Sequence, residues 1–497
     1  MTPAGQVIDS RADTSSPRDE YQLMPAREGV DAKTSQRTCF AALLSADIVA
    51  VMLSLIASFA CSQAVQRLAL PGHHLFMDAA QRRNALLELG LPIVGVLVIH
   101  MAQGHYYRRI PFWSEARQVI LSCIIGLLTS GLLEFSSRLQ PSRLFLIGTW
   151  LVTPIFILSL RRFTKRGLTL AGLWQIPVLI VGDQVNVRSA RAVLLSEPIL
   201  GYHVADCVDP ASLALIAGEL GWQRLLQRFG AQLVIVAFDS QCYPKRDFVE
   251  SLVREHIPFA MMPQSDGLPV FGFQWNYFFS HDTMLVTYRN NLAKPLQRTA
   301  KIAFDLSVAT LALIVLAPLL LLVALLVKLD GGPVLFLHTR IGAGGREFRC
   351  LKFRSMSVHG DIILQRLLIR NPAAAAEWAA THKLRNDPRV TKIGRLLRKT
   401  SLDELPQLLN VLRLEMSLVG PRPIVRHEVP RYAEDIAYYY EARPGITGLW
   451  QVSGRSDATY ERRVRLDCWY VKNWTVWHDI AILAKTIPII LNRKGAY

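Results

Sequence analysis

Five apolar runs, at 40–60, 86–104, 119–135, 144–160 and 302–327, limit the folds open to this chain more than any other feature. A helix that crosses a bilayer needs about 20 mainly apolar residues, and each run comes close. A hydrophobic share of 51% and a mean hydropathy of +0.24 point the same way, so the chain reads as a membrane protein. The first four runs read as transmembrane helices. Asp47, inside the first, is costly in lipid and is expected to face a partner helix rather than a substrate. Arg108, Arg109 and Arg117 in the second connection, and Arg161, Arg162, Lys165 and Arg166 after the fourth run, mark the cytoplasmic side. The outer connections carry a weaker load of Arg67, Arg82, Arg83, Arg138 and Arg143, and an even number of spans puts both ends inside.

The fifth run is long enough for another span, but Pro318 interrupts its helical ladder. The residues leave two readings open, a kinked span and a re-entrant segment that dips into one leaflet and returns. In the second, Lys301 and Lys328 share one surface, and Asp305 pairs with a nearby cation. The net charge of +17 calls for an anionic partner. Apolar spans favour acidic lipid or a phosphorylated substrate over nucleic acid. Seven scattered cysteines without a C-x-x-C pair indicate neither a zinc site nor a disulfide framework, as suits a reducing compartment.

Residues 1–35, polar and aperiodic, read as a disordered tail without a secretory signal peptide, followed by the four-helix block at 36–168. At 169–265 short apolar strands (178–181, 202–205, 233–236, 257–260) alternate with helical stretches, the pattern of a parallel Rossmann-like α/β domain. Gly182 follows the first strand, yet Gln184 and Asn186 stand where a dinucleotide loop needs glycine, which favours a structural or regulatory module. His203 and Cys207 read as packing residues. Residues 266–298, with Trp275, Tyr277, Phe278 and Phe279, form an aromatic linker, and 299–497 is the final domain. Within it, 334–337 reads as a strand, the glycine loop at 340–345 as a plain hairpin more than a phosphate loop, and 361–385 as helix. The tail mixes Trp469, Trp474 and Trp477 with aliphatics; it suits a membrane interface, with buried core helices as the alternative.

The stretch from Lys352 to Arg455 concentrates the chemistry. One adjacent acid pair, Asp403 and Glu404, lies between basic clusters built for phosphate: Lys352-Phe353-Arg354-Ser355 before it, Gly420-Pro421-Arg422-Pro423 and Arg443-Pro444-Gly445 after it. Pro406 fits only a first helical turn, so a helix should start near Asp403 or Glu404, with Asp403 ionised at its positive end. A capping box from Ser401 to Glu404 is the bland alternative. An ionised, positioned carboxylate can attack phosphorus.

Four motifs, Lys-Phe-Arg-Ser-Met at 352–356, Ser-Leu-Asp-Glu-Leu-Pro-Gln at 401–407, Met-Ser-Leu-Val-Gly-Pro-Arg-Pro at 416–423 and Arg-Pro-Gly-Ile-Thr-Gly-Leu-Trp-Gln-Val-Ser-Gly-Arg at 443–455, occur together and in order. In these the chain resembles the bacterial sugar transferases, the monotopic phosphoglycosyl transferases, over about 293–497. The four helices ahead resemble the large exopolysaccharide-priming subgroup. The resemblance implies a multi-domain membrane protein with a mainly helical α+β catalytic domain, a re-entrant helix at 302–327 broken at Pro318, and a site on the cytoplasmic face of the bacterial inner membrane. It implies transfer of hexose-1-phosphate, glucose foremost, from a UDP-sugar to undecaprenyl phosphate with release of UMP. Galactose or an N-acetylhexosamine is the alternative donor sugar, and a membrane-anchored nucleotide-binding scaffold the alternative class. Asp403 is then the nucleophile, Glu404 the ligand of Mg²⁺, and Asp467 a second acid near the metal or phosphate. Lys352, Arg398 and Arg422 hold phosphate charge, with Arg354 and Arg443 as lesser candidates. Membrane lipids are partners, nucleic acid is not, and self-association stays open. Leu414 departs from the pattern, which usually has glycine before Glu415.

Overall fold

The computed structural model describes residues 32–69, 79–137, 143–209, 221–239, 246–264, 273–277, 284–288, 291–292, 294–329, 331–381, 384, 387–453 and 459–491. Most of the polar stretch read as a tail therefore lies outside the described residues. The chain divides into two compact units, Met1–Gln264 and Ser265–Tyr497.

The first unit opens with four helices, α1 (Ala32–Ala69), α2 (Ala79–Ala102), α3 (Phe112–Ser137) and α4 (Arg143–Leu170), with α1 on α4 and α3 between α2 and α4. Spans within α1, α3 and α4 are long and apolar enough to cross a membrane, and Leu89–Ala102 of α2 is a shorter apolar stretch. Val96, Val119, Trp150 and Ile157 fill the seam, while Ile56, Leu128, Leu132 and Leu151 stay exposed, as a lipid-facing surface requires. Asp47 does face a partner: Arg161 donates to it from Nε at 2.7 Å and from Nη2 at 2.5 Å, and Tyr106 adds its hydroxyl at 2.8 Å. Arg161 also reaches Glu115 at 3.0 Å, which Lys165 meets at 2.7 Å, so two buried acids balance two buried bases. Arg161 and Lys165 are thus interior residues rather than the flanking charges they were read as, and Arg109 stacks over Trp174 at 3.3 Å.

Next come β1 (Ile176–Val181), α5 (Gln184–Ser196), β2 (Tyr202–Val208), α6 (Trp222–Phe229), β3 (Leu233–Phe238), α7 (Arg246–Arg254) and β4 (Phe259–Pro263). The strands form a parallel sheet in the order β2-β1-β3-β4, with β4 starting two residues later than expected. Buried residues at nearly every position of β1 and β3 explain the unbroken apolar runs. A side chain at Gly182 would strike the Ala237 carbonyl, so the glycine serves packing. Asp183 caps α5, its carboxylate accepting from the Asn186 N–H at 2.7 Å, and so occupies the place a phosphate would take.

The second unit begins with an antiparallel hairpin, β5 (Phe273–Tyr277) and β6 (Met284–Tyr288), where an irregular aromatic linker was expected. Trp275 and Tyr277 sit on β5, while Phe278 and Phe279 lie outside the described residues. The long helix α8 (Pro295–Leu329) is continuous through Pro318, so the helix break expected there is not present. Lys301, Asp305 and Ala309 are buried near one end and Val323 and Val327 near the other, whereas Leu311, Ile314, Val315, Leu321 and Leu322 between them are exposed. The hairpin of β7 (Leu335–Ile341) and β8 (Glu347–Phe353) follows, and β7 runs four residues past the expected strand. Two helices, α9 (Gly360–Arg370) and α10 (Pro372–Thr381), replace the single one expected, because Pro372 holds Asn371 extended.

Then come α11 (Lys392–Thr400), the acid turn Leu402–Glu404, α12 (Gln407–Leu412), β9 (Ser417–Val419), the turns of Arg426–Asp435 and α13 (Ile436–Glu441). The chain closes with β10 (Gly445–Thr447), parallel to β9, then α14 (Leu449–Val452), α15 (Tyr460–Lys472) and α16 (Val476–Leu491). Val411, Met416, Val419, Val471, Trp474 and Ile482 form one core with Ala309 of α8. Trp474 is 1% exposed, which overturns the interfacial reading for that residue; Ile480 and Ile487 on α16 remain open.

Candidate active site

The acid pair sits in a turn between two helices. Thr391 caps α11, accepting from the Gly394 N–H, and α11 ends at Ser401, whose φ of 56° is left-handed. One 3₁₀ turn, Leu402–Glu404, then leads to Pro406, which caps α12 with φ of −59°. The α-helix thus starts three residues beyond Glu404, where the missing proline N–H costs nothing. Ser401 makes no side-chain cap bond, so no capping box forms. Asp403 lies outside the first turn of α12, and the macrodipole fades beyond that turn. Its carboxyl is instead pushed up, by burial first and by Glu404 second, while Lys352 and Arg398 pull it back down. The expected lowering by the helix end is corrected on this point.

Three of the five cations assigned to phosphate gather here. Lys352, on β8, brings its Nζ to 2.6 Å from Glu404 Oε1. Arg398, on α11, donates from Nε to Ser355 Oγ at 2.9 Å and acts on Asp403 through its charge. Arg422 stands 5.5 Å over the Trp450 ring with part of its side chain open to solvent; the protein packed around it and Arg463 weaken its hold on its proton, and Glu404 restores part of it. Asp467, on α15, is buried and accepts from the Tyr432 hydroxyl at 2.8 Å, with Arg463 Nε at 3.9 Å. Burial pushes its carboxyl up to about 7 against the pull of Arg463, Tyr432 and Arg422. Asp467 therefore stands behind Arg422.

The other two cations are engaged elsewhere. Arg354 is buried and donates from Nη2 to the Val327 carbonyl, near the end of α8, at 3.1 Å. Arg443 donates to Asp305 Oδ2 at 3.2 Å, within a network where Lys301 meets Asp305 at 3.3 Å and Asp479 at 2.7 Å. The cation expected beside Asp305 is present twice. Residues not singled out as functional complete the picture: Ser355, which orients Arg398, Tyr432, Arg463, and Arg340, whose Nη1 reaches the Pro423 carbonyl at 3.1 Å. Only the i, i+4 spacing of Arg463 and Asp467 could have signalled a pair.

Among the described residues no three carboxylate, imidazole or thiol groups gather as a cage for a metal. One carboxylate beside a second suits a hard cation that takes its remaining ligands from substrate phosphate and water. Glu404 fits that description, provided it shares its charge with Lys352.

Known proteins resemble the chain, one of them along 95% of its length. The family description "Bacterial sugar transferase" matches residues 296–493. The chain is 38% identical to the undecaprenyl-phosphate galactose phosphotransferase of Salmonella typhimurium, over 95% of this chain and 100% of that protein. It is 52% identical to the exopolysaccharide production protein ExoY of Sinorhizobium fredii, over 41% of this chain and 91% of that one. It is 42% identical to the UDP-glucose:undecaprenyl-phosphate glucose-1-phosphate transferase of Caulobacter vibrioides, over 43% and 79%. An acid pair ringed by cations, a membrane helix fastened to the same unit and a relative matched from end to end all lead to one assignment: the chain belongs to the bacterial sugar transferase family.

Proposed function

We propose that this sugar transferase moves a hexose-1-phosphate from a UDP-hexose to undecaprenyl phosphate and releases UMP, as the first step in building an exopolysaccharide. The observation that carries the reading is the acid turn Leu402–Glu404 set among Lys352, Arg398 and Arg422. Asp403, ionised, attacks the phosphorus next to the sugar. The bond to the UMP oxygen breaks, UMP leaves as the dianion, and the phosphosugar stays on the carboxylate as a mixed anhydride. An oxygen of undecaprenyl phosphate then attacks the same phosphorus and frees Asp403. Both nucleophiles are already anionic, so neither step needs a general base. Lys352, Arg398 and Arg422 neutralise the diphosphate, charge that the turn cannot hold alone. Mg²⁺, when bound, adds electrostatic stabilisation of phosphate oxygens, with Glu404 as its protein ligand. Asp467 positions Arg422.

The galactose named for the relative matched over its whole length supports that hexose over the glucose implied by the family resemblance. A re-entrant α8 is supported by its packing. A straight helix separates Lys301 from Val327 by roughly 39 Å, yet both ends lie on this unit, with exposed leucines and isoleucine between them. A bend at Pro318 that leaves the helix unbroken would put the site and both helix ends on the cytoplasmic face, where UDP-sugars are found.

The test is UMP release by the full-length protein in membranes given undecaprenyl phosphate and either UDP-galactose or UDP-glucose. Asp403→Asn should abolish release, and the wild type stopped in mid-turnover should carry a phosphosugar. An unchanged rate in Asp403→Asn refutes the assignment.

A further inference from the structure

A mainly basic cavity, with Glu441 the one carboxylate on its lining, lies in the same unit at the base of α8, lined by none of the residues of the acid turn. Its volume is about 550 Å³, larger than one phosphate needs. Arg298 of α8, Arg346 of the β7–β8 turn and Arg443 converge on it. Arg298 and Arg346 are exposed and belong to no ion pair among the described residues. Arg443 spends Nη2 on Asp305, and its buried Nη1 has no hydrogen-bond partner among the described residues. Burial loosens the hold of Arg443 on its proton, Asp305 restores part of it, and the nearby Arg298 loosens it further, so Asp305 offsets only part of the positive charge here.

Two further features point to a ligand. Gly344, with φ of 64°, lines the cavity and has nothing within 4 Å of where a side chain would stand, so backbone is open to a close approach. Leu414 also lines it, 46% exposed and held at φ of 61°, a conformation leucine rarely adopts. With Leu292 and Ile302 it gives one wall an apolar character.

We propose that this cavity binds the phosphate of an amphiphilic molecule, separately from the acid turn: guanidinium groups and the Gly344 backbone take the phosphate, and the leucine wall takes the attached carbon chain. A lipid headgroup and a soluble phosphate share this chemistry. The experiment separates them, using the full-length protein in a neutral detergent with two probes, dioleoyl phosphatidylglycerol and inorganic pyrophosphate. Native mass spectrometry counts bound lipid, and calorimetry follows pyrophosphate. Arg298→Gln with Arg346→Gln should weaken the lipid by at least about tenfold, since each charge-assisted contact contributes more than 1.4 kcal/mol. Leu414→Glu should do the same without touching an arginine. Loss of lipid binding without pyrophosphate binding identifies a headgroup site; pyrophosphate bound by wild type and lost in the variants identifies a soluble ligand. Wild type and both variants binding equally, or wild type binding neither probe, overturns the proposal. Arg298, Arg346 and Leu414 are exposed, so the variants should fold, and a single melting transition within about 5 °C of wild type checks this.

Discussion

Leu414 offers a sharp test of how α12 is closed. The Leu414 N–H reaches the Val411 carbonyl at 2.9 Å and the Glu415 N–H reaches Asn410 at 3.0 Å, the pair of bonds that ends a helix in a Schellman turn. That turn needs a left-handed residue, and Leu414 supplies it at φ of 61°. Relief of the strain gains about 1–2 kcal/mol for glycine and nothing for alanine. Glycine returns roughly 0.5–1 kcal/mol of it as unfolded-state entropy. Both replacements forfeit about 1 kcal/mol of side-chain burial, because the leucine is half exposed. Leu414→Ala should therefore lose about 1 kcal/mol, and Leu414→Gly should stay near wild type. A gap of that size is roughly 2–4 °C in melting temperature for a unit of this length. Thermal unfolding of the two variants in detergent reads it. Alanine equal to or above glycine would refute the reasoning, since in an ordinary helical position alanine wins.

Other perturbations separate charge placement from packing. Lys352→Met removes both the partner of Glu404 and a cation that lowers the Asp403 carboxyl. Initial-rate measurements should show kcat/KM reduced by about a hundredfold, with the acidic limb of the pH profile moved to higher pH, because Asp403 must be ionised. Asp467 holds its proton in the folded state up to about pH 7, above the unfolded value, so its burial weakens the fold as pH rises through that window. Asp467→Asn should gain on wild type by up to roughly 3 kcal/mol between about pH 5 and pH 8 in paired melts, and a constant difference would disprove it. Asp47→Leu leaves Glu115 alone to balance both Arg161 and Lys165 and should cost about 3–5 kcal/mol, seen as aggregation on size exclusion, with partial rescue by adding Arg161→Met.

Much of this was legible because local chemistry is written in neighbouring residues. The acid pair, the apolar runs of the strands and the incomplete glycine fingerprint after Gly182 are each written within a few neighbouring positions. What could not be read is who pairs with whom across the chain. Lys352 and Glu404 are 52 residues apart, and Asp47 and Arg161 are 114 apart. Counting arginines at the ends of apolar runs cannot distinguish Arg161, sealed between two acids, from Arg162, which is exposed. The start of α12 was misjudged for a related reason. Pro406 disfavours an α-helix through itself, but a 3₁₀ turn ahead of it satisfies the same constraint and takes Asp403 out of the helix.

The motifs shared out between phosphate and membrane helix have a mechanical consequence. Lys352 meets Glu404, and two residues on Arg354 holds the Val327 carbonyl of α8. At the other end of the helix Lys301 donates to the Val419 carbonyl at 3.0 Å, three residues before Arg422. Each end of α8 is therefore bonded within a few residues of a cation that faces the acid turn. Breaking one member of a buried ion pair leaves the other charge uncompensated, which makes these attachments stiff. An apolar helix that settles at the depth its leucines prefer thereby fixes where Lys352 and Arg422 stand. A helix of the same hydropathy without Lys301 and Asp305 would still enter lipid, but it would no longer set the spacing of the charges above it.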